Sequence, residues 1–143
     1  FLRPLPHLKH IATFPLHYHR RQALLAGWDD ALFVDGEGDG ARVAEGSVWN
    51  IGFWDGAGIV WPQAPALRGT TERLLQDGLA ARGVAQAVRP VALAELARFR
   101  AAFAANANGV QPIAAIDAVD YGEAPELMRQ LAAAAAHAPW DPL

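Results

Sequence analysis

Two runs rich in β-forming residues, Ile51-Gly52-Phe53-Trp54 and Ile59-Val60-Trp61-Pro62, stand either side of Asp55-Gly56. Asp-Gly between such runs is a strong hairpin signal, because the central residues of a tight turn need positive φ. A second hairpin is expected just before it. Ala31-Leu32-Phe33-Val34-Asp35 is a compact apolar strand, Gly36-Glu37-Gly38-Asp39-Gly40 is a turn by composition, and a return strand begins at 42–44. Further strands are expected over 85–91, 100–106 and 110–117, with Asn106-Ala107-Asn108-Gly109 as a turn. Residues 7–11 read as a short strand or the approach to a helix.

Helical spacing appears in four places. Over 17–28, Leu16, His19 or Arg20, Ala23, Leu24 and Gly27 fall on one face, and Gly27 stops the helix. A helix from about 70 to Gly83 places Leu74, Leu75 and Leu79 on its buried face. A short helix is expected over 92–99 and a last one over 123–137, where the alanine run favours helix. Hairpins and helices mix without a regular βαβ wind, so the expected class is α+β.

The chain has 143 residues, enough for one domain with a real core. A formal net charge of −3 argues against nucleic acid as the default partner. There is no cysteine, which excludes disulfides and thiolate metal sites and fits a cytoplasmic compartment. No apolar run approaches the roughly 20 residues that span a bilayer, so no membrane partner is expected. Phe1-Leu2-Arg3-Pro4-Leu5-Pro6 shows no signal-peptide pattern. It reads as a Pro-rich linker over residues 1–6, leading into a domain over 7–143.

One residue is chemically singular. Lys9 is the only lysine; the other eleven of the 12 Lys and Arg residues are arginine. Arginine stays protonated in proteins and cannot form a Schiff base, whereas lysine can lose its proton and act as a nucleophile.

Three other groups carry possible chemistry. Gly69-Thr70-Thr71 opens a helix, whose first amides lack intrahelical partners and favour phosphate; Thr70 or Thr71 can equally serve as an N-cap. Glu45, ahead of Trp49, Phe53 and Trp54, is either a solvated hairpin residue or a buried partner for a cationic ring. His7, His10, His17 and His19 have spacings that zinc can use, but no cysteine and no HExxH helix accompany them. They read as packing or surface groups, and no metal is expected.

Taken in order, these pieces resemble a known family. A lone lysine is followed by Glu45-Gly46-Ser47-Val48-Trp49-Asn50 after a hairpin strand. Then come Leu67-Arg68-Gly69-Thr70-Thr71 opening a helix, and a polar turn before Pro112-Ile113. From Lys9 to Asp117 the chain resembles the class IV aminotransferases, pyridoxal-phosphate enzymes of fold type IV. These include branched-chain and D-amino acid aminotransferases and aminodeoxychorismate lyase. The resemblance implies the C-terminal large domain of that fold, a hairpin-rich pseudobarrel sheet with flanking helices.

It also implies roles. Lys9 matches the lysine that forms the internal aldimine with pyridoxal 5'-phosphate and shuttles the α-proton of the substrate. Glu45 matches the acid on the pyridine nitrogen, where a charge-assisted bond keeps the ring protonated and a better electron sink. Leu67 matches a residue packed on the ring. Thr70 and Thr71 match the phosphate cup, and Asn106 and Ala107 the turn that touches phosphate and substrate carboxylate.

Three positions depart from the family pattern. Phe14 stands five residues after the lysine, where branched-chain enzymes carry tyrosine. Gly69-Thr70-Thr71-Glu72 replaces Gly-Ile-Thr-Arg, and Asn106 stands where transaminases often have threonine. The family's smaller N-terminal domain, which supplies an arginine to the phosphate, has no counterpart in this chain. The implied activity is transamination of an amino acid or keto acid by a homodimer. The alternatives are aminodeoxychorismate lyase-like elimination with the same cofactor, or a non-catalytic domain that retains the fold.

Overall fold

The computed structural model describes residues 1–138; the last five residues of the expected domain lie outside the described residues. Its element order is α1 (Phe14–Leu25), β1 (Leu32–Asp35), β2 (Arg42–Gly46), β3 (Asn50–Trp54), β4 (Ile59–Pro62), α2 (Thr70–Ala81), β5 (Gln86–Arg89), β6 (Ala101–Asn106), β7 (Gly109–Ile113), β8 (Ala115–Ile116), β9 (Val119–Asp120) and α3 (Pro125–Ala135). Tight 3-10 turns occupy Gly38–Gly40 and Leu93–Arg98. The class is α+β, as the mixed order implies.

The hairpin at Asp55-Gly56 lies near the middle of a five-stranded sheet of order β5-β4-β3-β6-β7. Phe53 pairs with Val60 and Trp54 with Ile59, so the loop holds four residues rather than two. Asp55 Oδ1 accepts the amides of Ala57 and Gly58, each at 2.8 Å, and Gly56 takes φ +100°. A side chain thus closes the turn where a shorter loop would use backbone alone. β5 runs parallel to β4, connected through α2, which makes one βαβ unit inside the otherwise antiparallel sheet.

Both faces of the sheet are covered, and the strands alternate between two cores. Ile51, Phe53, Val60 and Ala102 point to one, with Val43, Val91, Leu96 and Phe99. Ile59, Trp61, Ala101 and Phe103 point to the other, beneath Leu75 and Leu79 of α2 and Leu127 and Leu131 of α3. Gly52 is forced by this arrangement: a Cβ there would lie 2.3 Å from the Phe103 ring on the neighbouring strand.

Several expected bounds shift. α1 starts at Phe14, before the predicted 17, because Pro15 is well placed in a first helical turn. Of its predicted face only Leu16 is buried; Leu24 is exposed. On α2 Leu74 is 41% exposed, and Glu72 and Gly78 join Leu75 and Leu79 on the inner face. The expected strand 110–117 breaks after Ile113, and Ala115–Ile116 folds back on Val119–Asp120, with Asp117 at φ +48°. Residues 7–11 form no strand but the approach to α1, with a turn at Pro6–His7 and irregular backbone at Lys9 and His10. α1 and the residues flanking it leave much apolar surface uncovered: Ile11, Phe14, Tyr18, Leu25 and Trp28 are all exposed.

Candidate functional site

Four segments converge on one cavity of about 520 Å³. They are the loop before α1, the end of β2, the loop that opens α2, and the β6–β7 turn. The volume falls within the range of small-molecule sites. Lys9, Glu45, Leu67, Thr70, Asn106 and Ala107 all line it. Lys9 and Thr70 are exposed, Leu67 and Asn106 half-buried. A cavity of about 550 Å³ between the β3–β4 turn and the α2 and α3 side holds none of the predicted residues.

Glu45 enters the cavity from β2, and the residue is 8% exposed. Its Oε2 accepts the amide of Leu67 at 3.0 Å. Its Oε1 lies 3.6 Å from Arg3 Nε. Burial pushes its pKa up; the Leu67 amide and the charges of Arg3 and Arg68 pull it back. Of the two readings open in the sequence, solvated hairpin residue and buried acid, the structure has the second.

The loop that opens α2 is clamped by Asn50. Its Nδ2 donates to the Leu67 carbonyl at 2.5 Å and its Oδ1 accepts the Gly69 amide at 3.1 Å. Gly69 is the N-cap, with φ −67° and ψ 158° and no side-chain capping bond. Thr70 and Thr71 are therefore the first two helical residues, not caps. Their amides point out of the first turn, where the helix dipole favours an anion. Thr71 itself does not line the cavity: its hydroxyl donates to the Asn106 carbonyl at 2.7 Å. Asn106 Oδ1 accepts the Asn108 amide at 2.9 Å, which shapes the β6–β7 turn.

Residues not singled out in the sequence also face this space. Arg3, from the expected linker, is buried against Glu45; an arginine two residues after the chain's first is an inconspicuous signal. Ser47 lies at the cavity with its hydroxyl buried and unpartnered. Trp49 packs over Gly46, where a Cβ would lie 2.0 Å from the indole, and its Nε1 donates to Asp30 Oδ2 at 3.1 Å. Arg73 lines the cavity, as does Arg68. Arg68, however, is engaged elsewhere: it donates to Glu72 Oε1 at 2.9 Å and to the Pro62 carbonyl at 2.6 Å. Glu72, at the departure from Gly-Ile-Thr-Arg, is 1% exposed, and burial raises its pKa against the pull of Arg68.

The histidines do not gather. His10 lines the cavity and its ring bridges the Pro4 carbonyl and the Ala12 amide, while His19 packs between Phe1 and Phe33. Among the described residues no group of three or more His, Asp or Glu side chains is set to hold a metal ion.

These residues fit pyridoxal phosphate on the structure's own terms. The cavity is lined by a lysine, a buried acid, two buried polar atoms without a hydrogen-bond partner (Arg3 Nε and Ser47 Oγ) and a helix N-terminus, a donor and acceptor set that suits a phosphorylated pyridine. Gly69 leaves no room for a side chain in the loop beside it, since a Cβ would meet Asn50 Oδ1 at 2.5 Å.

Comparison with known proteins gives the family and the fold. No curated protein matches the chain in sequence. Among solved structures, the branched-chain amino acid aminotransferase of Thermobaculum terrenum, in its pyridoxal-phosphate form, is 26% identical with a TM-score of 0.78, over 90% of this chain and 43% of that one. A fold IV transaminase of Curtobacterium pusillum is 25% identical with a TM-score of 0.78, over 90% and 43%. A proposed 4-amino-4-deoxychorismate lyase of Legionella pneumophila shares the fold at 23% identity and a TM-score of 0.79, over 92% and 51%. The chain spans about half, or less, of the length of these relatives. The model for amino-transferase class IV matches residues 2–116, most of the chain, and the chain belongs to that family.

Proposed function

We propose that this chain is the cofactor-binding half of a pyridoxal-phosphate-dependent aminotransferase acting on an amino acid. The observation that carries the reading is the single cavity lined by Lys9, Glu45 and the first turn of α2. Bound there, pyridoxal phosphate supplies an electron-poor ring that stabilises negative charge at the substrate α-carbon.

The chain's own residues divide the work. Lys9 Nζ is the nucleophile that holds the cofactor and the base that moves the α-proton. Glu45 would hold the protonated ring nitrogen through a charge-assisted bond that burial strengthens. Leu67 packs on the ring. The amides of Thr70 and Thr71 bind the phosphate. Asn106 and Ala107 orient the phosphate and the substrate carboxylate. The same proposal includes a second domain, a homodimer and a cytoplasmic location. The exposed Ile11 and Phe14, next in sequence to cavity-lining His10 and Thr13, and Tyr18 stacked on Phe14, support a covering partner, because exposed apolar side chains gathered together mark an interaction face.

The test is spectroscopic. The intact protein mixed with pyridoxal phosphate develops a visible Schiff-base band, and borohydride fixes the cofactor on Lys9. Loss of neither band nor label in Lys9→Ala defeats the reading, and failure to bind cofactor at all favours a non-catalytic domain. Asn106 in the β6–β7 turn favours the alternative of aminodeoxychorismate lyase-like elimination. Products formed from an amino-acid and keto-acid pair, against those from aminodeoxychorismate, separate the two.

A further inference from the structure

Arg3 is 7% exposed, and its side chain reaches Glu45 from the loop that also delivers Lys9. That loop is tied back on itself. The Arg3 guanidinium donates to the Pro6 carbonyl, the Leu8 amide to the Leu5 carbonyl at 3.0 Å, and the His10 ring lies 3.0 Å from the Pro4 carbonyl. Leu5 takes φ +48°, a left-handed conformation that a leucine adopts only when its surroundings require it. The fold places a buried guanidinium here by several independent contacts.

The geometry with Glu45 is specific. Arg3 Nε stands 3.6 Å from Oε1, too far for a hydrogen bond and close enough for an ion pair, and this Nε has no hydrogen-bond partner. Among the described residues Oε1 accepts no hydrogen bond, since Leu67 uses Oε2. Arg3 therefore acts on the acid by charge and leaves the outer lone pairs of Oε1 to another donor. Arg68 adds charge of the same sign, but its guanidinium is hydrogen-bonded to Glu72 and the Pro62 carbonyl, whereas Arg3 has Glu45 as its ion-pair partner. Arg3 has no other acidic partner among the described residues.

We propose that Arg3 is a positioning residue of this site: acting through Glu45, its charge keeps the buried acid a carboxylate, with Oε1 held ready for a cationic aromatic nitrogen. This rests on the reading that Glu45 takes the ring nitrogen. The charged and titratable groups around Glu45 are Arg3 on its own loop, Arg68 and Glu72 across the α2 opening, and Lys9, His10 and Arg73 on the cavity wall. Burial drives the acid toward its neutral form and Glu72 adds to that; the Leu67 amide opposes it first, then the charges of Arg3 and Arg68.

The experiment measures the dissociation constant of pyridoxal phosphate against pH in the intact protein. The variants are Arg3→Met, Arg3→Lys, Glu45→Gln and the double Arg3→Met/Glu45→Gln. Titration of the phosphate is common to all of them and cancels in comparison. In Arg3→Met the acidic midpoint for binding moves up by about one unit or more, the effect of removing an opposite charge at this range. Arg3→Lys keeps the wild-type midpoint, because charge and not a guanidinium bond is at work. In Glu45→Gln only the phosphate part of the limb remains, and adding Arg3→Met changes nothing further. An unmoved midpoint in Arg3→Met, with the limb reduced to its phosphate part by Glu45→Gln, overturns the role of Arg3 and leaves that of Glu45 standing. An equal loss at every pH that persists in the double variant also overturns it, since Arg3 then acts on the ligand directly. A limb unchanged in Glu45→Gln overturns the ring-nitrogen reading itself. Circular dichroism checks folding, and Arg3→Gln replaces Arg3→Met if the latter does not fold.

Discussion

The hydroxyl of Thr71 donates to the backbone carbonyl of Asn106 at 2.7 Å, joining the first turn of α2 to the end of β6 across 35 residues of sequence. The two segments proposed to hold phosphate and substrate carboxylate are thus held in register by one bond. Thr71→Val keeps the shape and removes the donor, leaving a half-buried carbonyl short of a partner. The expected cost is about 1 kcal/mol of stability by denaturant titration. Affinity for pyridoxal phosphate falls about tenfold, the equivalent of about 1.4 kcal/mol, and Thr71→Ser restores both.

Asn50 performs a similar task on the preceding loop. Its amide serves the Leu67 carbonyl and the Gly69 amide at once, and the residue is buried. Asn50→Ala leaves two backbone groups without partners, at an expected total of about 2–3 kcal/mol in chemical unfolding. Asn50→Asp retains only the acceptor for Gly69 and falls between the two.

Gly78 lies where α2 crosses α3. A Cβ there would stand 2.0 Å from the Ala134 carbonyl oxygen, a backbone atom that cannot step aside alone. Alanine improves helix propensity by about 1 kcal/mol, so on an isolated helix Gly78→Ala stabilises. In the folded protein overpacking reverses the sign, for a net loss of about 1–2 kcal/mol. The melting temperature drops, while pyridoxal-phosphate affinity below the transition stays at the wild-type value because the substitution is remote from the cavity.

Glu72 gives a pH signature. Its folded pKa is raised by burial above the ordinary carboxylate value of 4.5, with the bonds from Arg68 and Gln76 opposing. The folded state therefore holds this proton more tightly than the unfolded state. The contribution is fully present below pH 4.5 and is lost as pH rises through the folded pKa. Glu72→Gln removes the titration. It raises the melting temperature at pH 7 and leaves it nearly unchanged at pH 4. A variant less stable than wild type at pH 7 refutes the sign.

Much of this was legible in local sequence. Asp55-Gly56 announced its hairpin because turn chemistry and flanking β-formers act within a few residues. Lys9, Glu45 and Gly69-Thr70-Thr71 stood out as an ordered set, and the fold brings Lys9, Glu45 and Thr70 to one cavity. Leu74 was misread because helical periodicity alone cannot say which side a helix packs: Glu72, paired with half-buried Arg68, lies on the inner face and Leu74 does not. The break after Ile113 was missed because an apolar run carries no mark of where its pairing partner ends.

The sequence by itself determined the chemistry available to this protein: one lysine, an acid before Gly-Ser, a glycine ahead of two threonines, and β-rich runs set around turn residues. Those are properties of residue type and short spacing. Only the tertiary structure decided that Arg3 belongs to the site, that Thr71 binds Asn106 rather than capping its own helix, and that Arg68 is committed to Glu72. Each depends on contacts between segments far apart in the chain or on which face is buried, and burial sets whether a charge is solvated or must find a partner.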